Sequence, residues 1–328
     1  ISSAASDVYK RQLENCVLYG RIILPALPFY MLQFEFQSFF STAAKPRLGL
    51  AVTAAAGAAN IIGDALLVAV FRFGIAGAAA ATAISQAIGG IIPLIYFAMP
   101  NSSSLKLTKT RFDIGTLAKV CANGSSELMS NVSMSLVNML YNVQLMKYAG
   151  EDGVAAYGVL MYVNMIFLAA FIGYSVGTAP IISFHYGAGD NTELKSLLKK
   201  SIVIISILSL VMFTSAELLA RPLAVIFTGG DNGFLTLTLR GFLIFSFSFL
   251  FSGSAIFGSA FFTALNDGLT SALISFLRTL VFQVAAVIVL PLIWGVDGIW
   301  MSAAAAEFTA AAITVIFIFL KRKKYRYF

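Results

Sequence analysis

Carboxylates and carboxamides set deep in long apolar runs are the residues of this chain whose types and positions could do chemistry. Glu307 lies about ten residues into the last apolar segment, which at 1.5 Å per residue puts it some 15 Å in, near the middle of a bilayer. A carboxylate at that depth can carry a proton or hold a cation, and it needs a partner. Arg278 is a candidate, but counting from the turn near Gly295 leaves a height difference of about 8 Å. That count favours Arg278 snorkelling to the surface, with Glu307 lining a cavity or bonding a neighbouring helix. Asn60 and Asp64 stand four apart on one helix face, able to gate or to hydrogen-bond structurally. Glu35 sits one to two turns inside its segment, either lining the interior or snorkelling. Glu127 follows Asn123-Gly-Ser-Ser, where an acid in a first turn is favoured by capping and by the helix dipole. The alternative for Glu127 is a protonatable group at a cavity mouth, with Asn138 and Asn142 further along the same helix.

The elements that must position these groups are membrane helices. Of the 328 residues 59% are hydrophobic and 11% charged, too apolar for a water-soluble domain. Nine segments are long enough to cross a hydrocarbon core, at about 21–41, 48–71, 76–98, 122–147, 153–184, 200–227, 236–264, 269–293 and 297–320. The fold class is an all-α polytopic membrane protein. Numbering the loops alternately, one set carries Lys45, Arg47, Lys106, Lys109, Arg111, Lys119, Lys195, Lys199, Lys200, Arg278, Lys321, Arg322, Lys323, Lys324 and Arg326. The other holds only Arg72, Lys147, Arg221 and Arg240. Positive charge marks the cytoplasmic side, so Lys109, Lys195 and the C-terminus face the cytoplasm, and Lys147 and Asp231 the exterior. The net charge of +7 is thus a topology signal near anionic lipid, and no nucleic-acid partner is implied.

Two stretches about 221 residues apart repeat one pattern. Phe39-Phe40-Ser41-Thr42-Ala43 leads through an apolar run to Gly74-Ile-Ala-Gly77 and AAAATAISQ. Phe261-Phe262-Thr263-Ala264 leads likewise to Gly295-Val-Asp-Gly298 and IWMSAAAAE. A long-period duplication of helices is typical of secondary transporters. It pairs Gln86 with Glu307 at one depth in two related halves. It also assigns residues 13–98 to an N-lobe, 99–121 to an inter-lobe loop, 122–320 to a six-helix C-lobe and 321–328 to a basic cytoplasmic tail. If each lobe has six helices, twelve in all, about a hundred residues and three helices precede Ile1. The chain then reads as an N-terminally truncated fragment, and residues 1–12 as a non-native junction.

LPALPFYMLQFEFQSFFSTAAKPRLG, NIIGDALLV and GIAGAAAATAISQ resemble the fourth to sixth helices of MATE (multidrug and toxic compound extrusion) transporters. GSSELMSNVSMSLVNMLYN and GVAAYGVLMYVNMIFLAAFIGYSVGTAPIISFHYGAG resemble their seventh and eighth. The resemblance covers roughly residues 20 to 320. It implies a two-lobed, monomeric antiporter of the bacterial inner membrane, exporting small organic compounds, amphipathic and cationic, in exchange for H+ or Na+ and without a cofactor. The chain departs from the family's sodium-binding pattern, with Met134 and Asn138 where a deeper acid is expected and no acid between Phe234 and Leu265. A flippase for lipid-linked oligosaccharide or peptidoglycan precursors is the alternative within the superfamily. It would need cationic cavity residues, and the deep segments hold almost none. The single histidine, His185, gives no metal cluster. Scattered acids form no catalytic constellation, so an enzyme is not expected. Cys16 and Cys121, on opposite sides in this topology, form no disulfide.

Overall fold

The computed structural model describes residues 2–103, 105–109, 112–228 and 232–327, of which residues 2–12 as backbone only. Arg111, Asp231 and Ile1 of the proposed junction lie outside the described residues. The described chain is helical and contains no strand. It divides into two compact units, Ile1–Phe112 and Asp113–Phe328.

In the first unit α1 (Ser2–Ile23) passes through a 3-10 turn at Leu24–Ala26 into α2 (Leu27–Thr42). Then follow α3 (Pro46–Asp64), which ends in a π-turn at Ala65–Val70, and α4 (Gly74–Ala98). Small residues let the helices meet closely. A Cβ on Gly90 would come within 2.5 Å of the Phe29 carbonyl oxygen. Phe97 stacks on Phe36 at 5.5 Å between ring centroids and packs on Phe40 at 5.0 Å, which closes α4 onto α2.

The second unit runs α5 (Ile114–Gly187), α6 (Asn191–Thr228), α7 (Asn232–Phe245), a 3-10 turn at Ser246–Ser248, and α8 (Phe249–Ala264). It continues with α9 (Gly268–Phe276), a π-turn at Leu277–Phe282, α10 (Gln283–Trp294) and α11 (Val296–Tyr325). Within α5, Gly150 takes φ 65° and ψ −155°, a conformation open to glycine, and splits the helix in two. With that break, the eight long apolar runs of the described residues make nine crossings. α5 begins at Ile114 rather than near 122, because Asp113 caps it by accepting from the Gly115 amide at 2.9 Å. At the other end α11 continues to Tyr325, so most of the basic tail is helical.

The duplication is written into the backbone. At the end of α2, the amides of Ala43, Ala44 and Lys45 donate to Phe39, Ser41 and Phe40. At the end of α8, those of Leu265, Asn266 and Asp267 donate to Phe261, Thr263 and Phe262, each 222 residues on. Ala44 and Asn266 both take a left-handed φ, of 55° and 58°. The 3-10 turns at Leu24–Ala26 and Ser246–Ser248 stand 222 apart, and Gly74 and Gly295, which open the last helix of each half, stand 221 apart. A side-chain bond repeats too: Gln37 donates to Thr53 at 3.0 Å, and Ser259 meets Ser275 at 2.8 Å. Gly77 and Gly298 each press against the preceding helix, where a Cβ would lie 2.8 Å and 2.3 Å from the carbonyl oxygens of Leu67 and Leu290.

The turn between α8 and α9 also holds the end of α11. Asp267 accepts from the Thr270 amide at 3.3 Å and from the Tyr325 hydroxyl at 2.7 Å, with Lys321 and Lys324 at 3.4 and 3.8 Å. Burial pushes the Asp267 carboxyl up, but the bonds from Tyr325 and Thr270 and the Lys321 charge outweigh it and hold the group below the usual carboxylate range. A carboxyl depressed in the fold stabilises it at pH values above the unfolded-state pKa. That contribution is lost as pH falls through the folded-state pKa. Asp267→Asn should therefore cost about 2 kcal/mol at neutral pH and flatten the acid limb of stability. Thermal unfolding in detergent across pH checks this; parallel curves for parent and variant would contradict it.

Candidate functional site

A seam of polar side chains runs through the interior of the second unit between α5, the α9–α10 segment and α11. At its centre Arg278 and Glu307 form a bidentate pair. Arg278 Nε donates to Glu307 Oε2 at 2.8 Å and to Oε1 at 3.1 Å, and Nη2 donates to Oε1 at 2.8 Å. The side chains are only 15% and 8% exposed. This corrects the expectation that Arg278 snorkels to the surface. The height difference of about 8 Å holds for straight α-helices. Arg278 instead lies in the π-turn Leu277–Phe282, which re-aims side chains, and the two long side chains together span the gap.

Around the pair, Glu127 is close enough for its charge to interact with that of Arg278. Glu127 is not in a first turn, as expected from its neighbours, but about four turns beyond the Asp113 cap, on an exposed face of the unit. Further along, the Tyr141 hydroxyl donates to Gln283 Oε1 at 3.0 Å and meets Ser302 Oγ at 2.8 Å. The Tyr141 ring stacks on Tyr157 with centroids 4.9 Å apart and planes 8° off parallel. Tyr157 in turn donates to Asn138 Oδ1 at 2.7 Å, and Asn142 donates to the Asn138 backbone carbonyl at 3.0 Å. The structure thus ties Asn138 to Tyr157 and Glu307 to Arg278, with Glu127 at the margin of the pair, whereas Asn142 is exposed and bonds only the backbone of its own helix. Such a seam fixes the rotation of three helices about their axes, since each buried polar atom must find its partner.

The first unit carries a sparser version. Gln86, the counterpart of Glu307, is half-buried on α4, and its Oε1 is a buried acceptor with no partner among the described residues. Asn60 on the adjoining α3 has a buried Nδ2 donor in the same condition. Asp64 is half-buried where α3 gives way to its π-turn, and Glu35 is exposed on α2. Neither forms an ion pair among the described residues, and the structure does not join them to Asn60 or Gln86. No group of three or more His, Cys, Asp or Glu side chains that could hold a metal ion occurs among the described residues.

One intramembrane acid escaped the sequence reading. Glu217, in the run TSAELLARP of α6, accepts a hydrogen bond from Ser246 at the 3-10 turn between α7 and α8. Its signal was plain in one dimension, an acid amid apolar residues.

The family model for MatE matches residues 128–289. The multidrug export protein MepA of Staphylococcus haemolyticus (strain JCSC1435) is 23% identical over 313 residues, covering 93% of this chain and 67% of that protein. MepA of Staphylococcus aureus (strain NCTC 8325) is 22% identical over 316 residues, with the same coverage. Residues 128–289 thus carry a MatE domain. Among solved structures, the chain is similar to an outward-facing multidrug-resistance MATE transporter of the MOP superfamily, with a TM-score of 0.89 at 18% identity. That match covers 95% of this chain and 70% of the other. A MOP superfamily transporter from Pyrococcus furiosus gives the same TM-score and identity over 94% and 70%.

The pairing of Glu307 sets an expectation. Glu307→Gln leaves the Arg278 charge buried without a counter-charge and should cost about 3–5 kcal/mol of stability. Adding Arg278→Gln removes the stranded charge and should recover much of that loss. Thermal unfolding midpoints of parent, single and double variants in detergent give the comparison. A Glu307→Gln protein as stable as the parent would show that the pair carries no such weight.

Proposed function

We propose that this chain serves to export amphipathic, mainly cationic organic compounds across a bacterial cell membrane by alternating access, driven by H+ or Na+. The observation that carries the reading is the likeness, along 93% of the chain, to proteins named multidrug exporters. Two features of the molecule support it. Each half contains a helix interrupted by a 3-10 turn at the same register, and interrupted helices are where secondary transporters bind substrate and coupling ions. The 29 Phe, 12 Tyr and 10 Met residues supply aromatic faces that attract organic cations and flexible thioethers that adapt to varied shapes.

The flippase alternative is not favoured. A pyrophosphate-bearing lipid needs free cationic side chains, and the buried Arg278 is already neutralised by Glu307. The proposed transporter works as a monomer, without enzymatic chemistry and with no cofactor beyond the coupling ion. Its cation-rich loops and C-terminus face the cytoplasm, in keeping with the charge asymmetry.

The test is efflux of ethidium from a drug-hypersensitive bacterium expressing the complete gene. Export faster than in vector controls, and abolished when the proton and sodium gradients are collapsed, is the expected result. Efflux no faster than the vector control would contradict the reading.

A further inference from the structure

Two carboxylates lying between helices of the second unit, Glu307 buried and Glu217 half-buried, have their charges compensated differently. Glu307 is held by both nitrogens of an arginine fork. Glu217 forms no ion pair among the described residues. It lies within the apolar run Asn191–Phe227, ten residues before its end and one turn before the exposed Arg221. Its partner is the Ser246 hydroxyl, 1% exposed, on the first residue of the 3-10 turn.

That hydroxyl has one hydrogen and two acceptors. Ser246 Oγ is in hydrogen-bond contact with Glu217 Oε1 and also lies 3.0 Å from the Leu243 carbonyl oxygen. One hydrogen serves only one of these contacts, so an ionised Glu217 leaves an acceptor facing an acceptor. A proton on Glu217 Oε1 completes the set: the carboxyl donates to Ser246 Oγ, and the serine hydrogen turns to the Leu243 carbonyl.

The surrounding charges do not supply the missing compensation. Arg221, one turn further along α6, is exposed. Arg240 on α7 is engaged by Asp297. The 3-10 turn and α8 carry no ionisable side chain. On α5, Glu151 and Asp152 lie beside the Gly150 break and add no positive charge, Lys147 sits over the Tyr148 ring, and Tyr157 is committed to Asn138. Tyr162 is exposed.

We propose that Glu217 and Ser246 form a proton-exchange site of the second unit, separate from the Arg278–Glu307 pair. A proton from the aqueous phase binds Glu217 Oε1 and rotates the Ser246 hydroxyl onto Leu243; its departure returns that hydroxyl to Glu217. The exchange therefore acts on the interrupted segment between α7 and α8. This deepens the ion-coupled reading above and rests on it.

The test uses the reconstituted full-length protein and infrared difference spectra between acidic and neutral bathing solution, which read carboxyl protonation without requiring transport. A protonated-carboxyl band present in the parent and absent in Glu217→Gln is expected, with the band retained when Arg278 and Glu307 are both replaced by Gln. Ser246→Ala should shift the band and alter the proton affinity roughly tenfold. Glu217→Asp, which keeps a carboxyl at the position, guards against misfolding: the band should persist there, displaced. Identical spectra for parent and Glu217→Gln would overturn the proposal. So would a carboxylate signal that responds to sodium addition and not to acidification. Failure of ethidium efflux, by contrast, bears on the export reading and leaves these spectra unaffected.

Discussion

A charge inside hydrocarbon must be matched by an opposite charge or removed, because the cost of leaving it bare is several kcal/mol even after relaxation. The second unit meets that constraint at Glu307 with Arg278, and the rest of its interior is arranged around the result. The π-turn at Leu277–Phe282 brings the guanidinium to the carboxylate, and Gly298 lets α11 approach α10 closely enough to keep Glu307 facing inward. Tyr141, Ser302 and Gln283 then extend the polar seam along the same helix contacts. Removing the pair would release the rotational setting of three helices at once.

The same constraint separates the two halves. At the position of Glu307 the first unit has Gln86, and neutral carboxamides at Gln86 and Asn60 stand in place of an ion pair. Both halves nevertheless share one backbone plan, down to paired left-handed residues at Ala44 and Asn266 and 3-10 turns at matching positions. In the first unit Pro25 accounts for the turn, since it cannot donate within a helix. The second unit achieves it at Ser246–Ser248, where the Ser246 hydroxyl reaches the Leu243 backbone carbonyl.

Much of this was legible in the sequence. Hydropathy placed every crossing, including the division of α5, because Gly150 and its neighbours form a short polar link between two apolar runs. The repeat was visible through Phe-Phe-Ser/Thr and Gly-x-x-Gly, residues that the backbone geometry requires. The start of α5 was missed because the turns after Asp113 are polar, and hydropathy sees membrane burial rather than helix. The Arg278–Glu307 pair is nameable from the sequence but disfavoured by counting along straight helices, because a π-turn leaves no mark in residue spacing. Glu217 was overlooked although it stands within an apolar run, since its partner is a serine whose role depends on a break in another helix.

In the proposed mechanism the second unit neutralises the buried Glu307 with an arginine and leaves the half-buried Glu217 to exchange its proton. The most direct measurement is proton release from the purified full-length protein on binding an organic cation, followed with a pH-sensitive dye in weak buffer. The expected release disappears in Glu217→Gln and persists when Arg278 and Glu307 are both replaced by Gln. Release unchanged in Glu217→Gln, at undiminished cation binding, would contradict it.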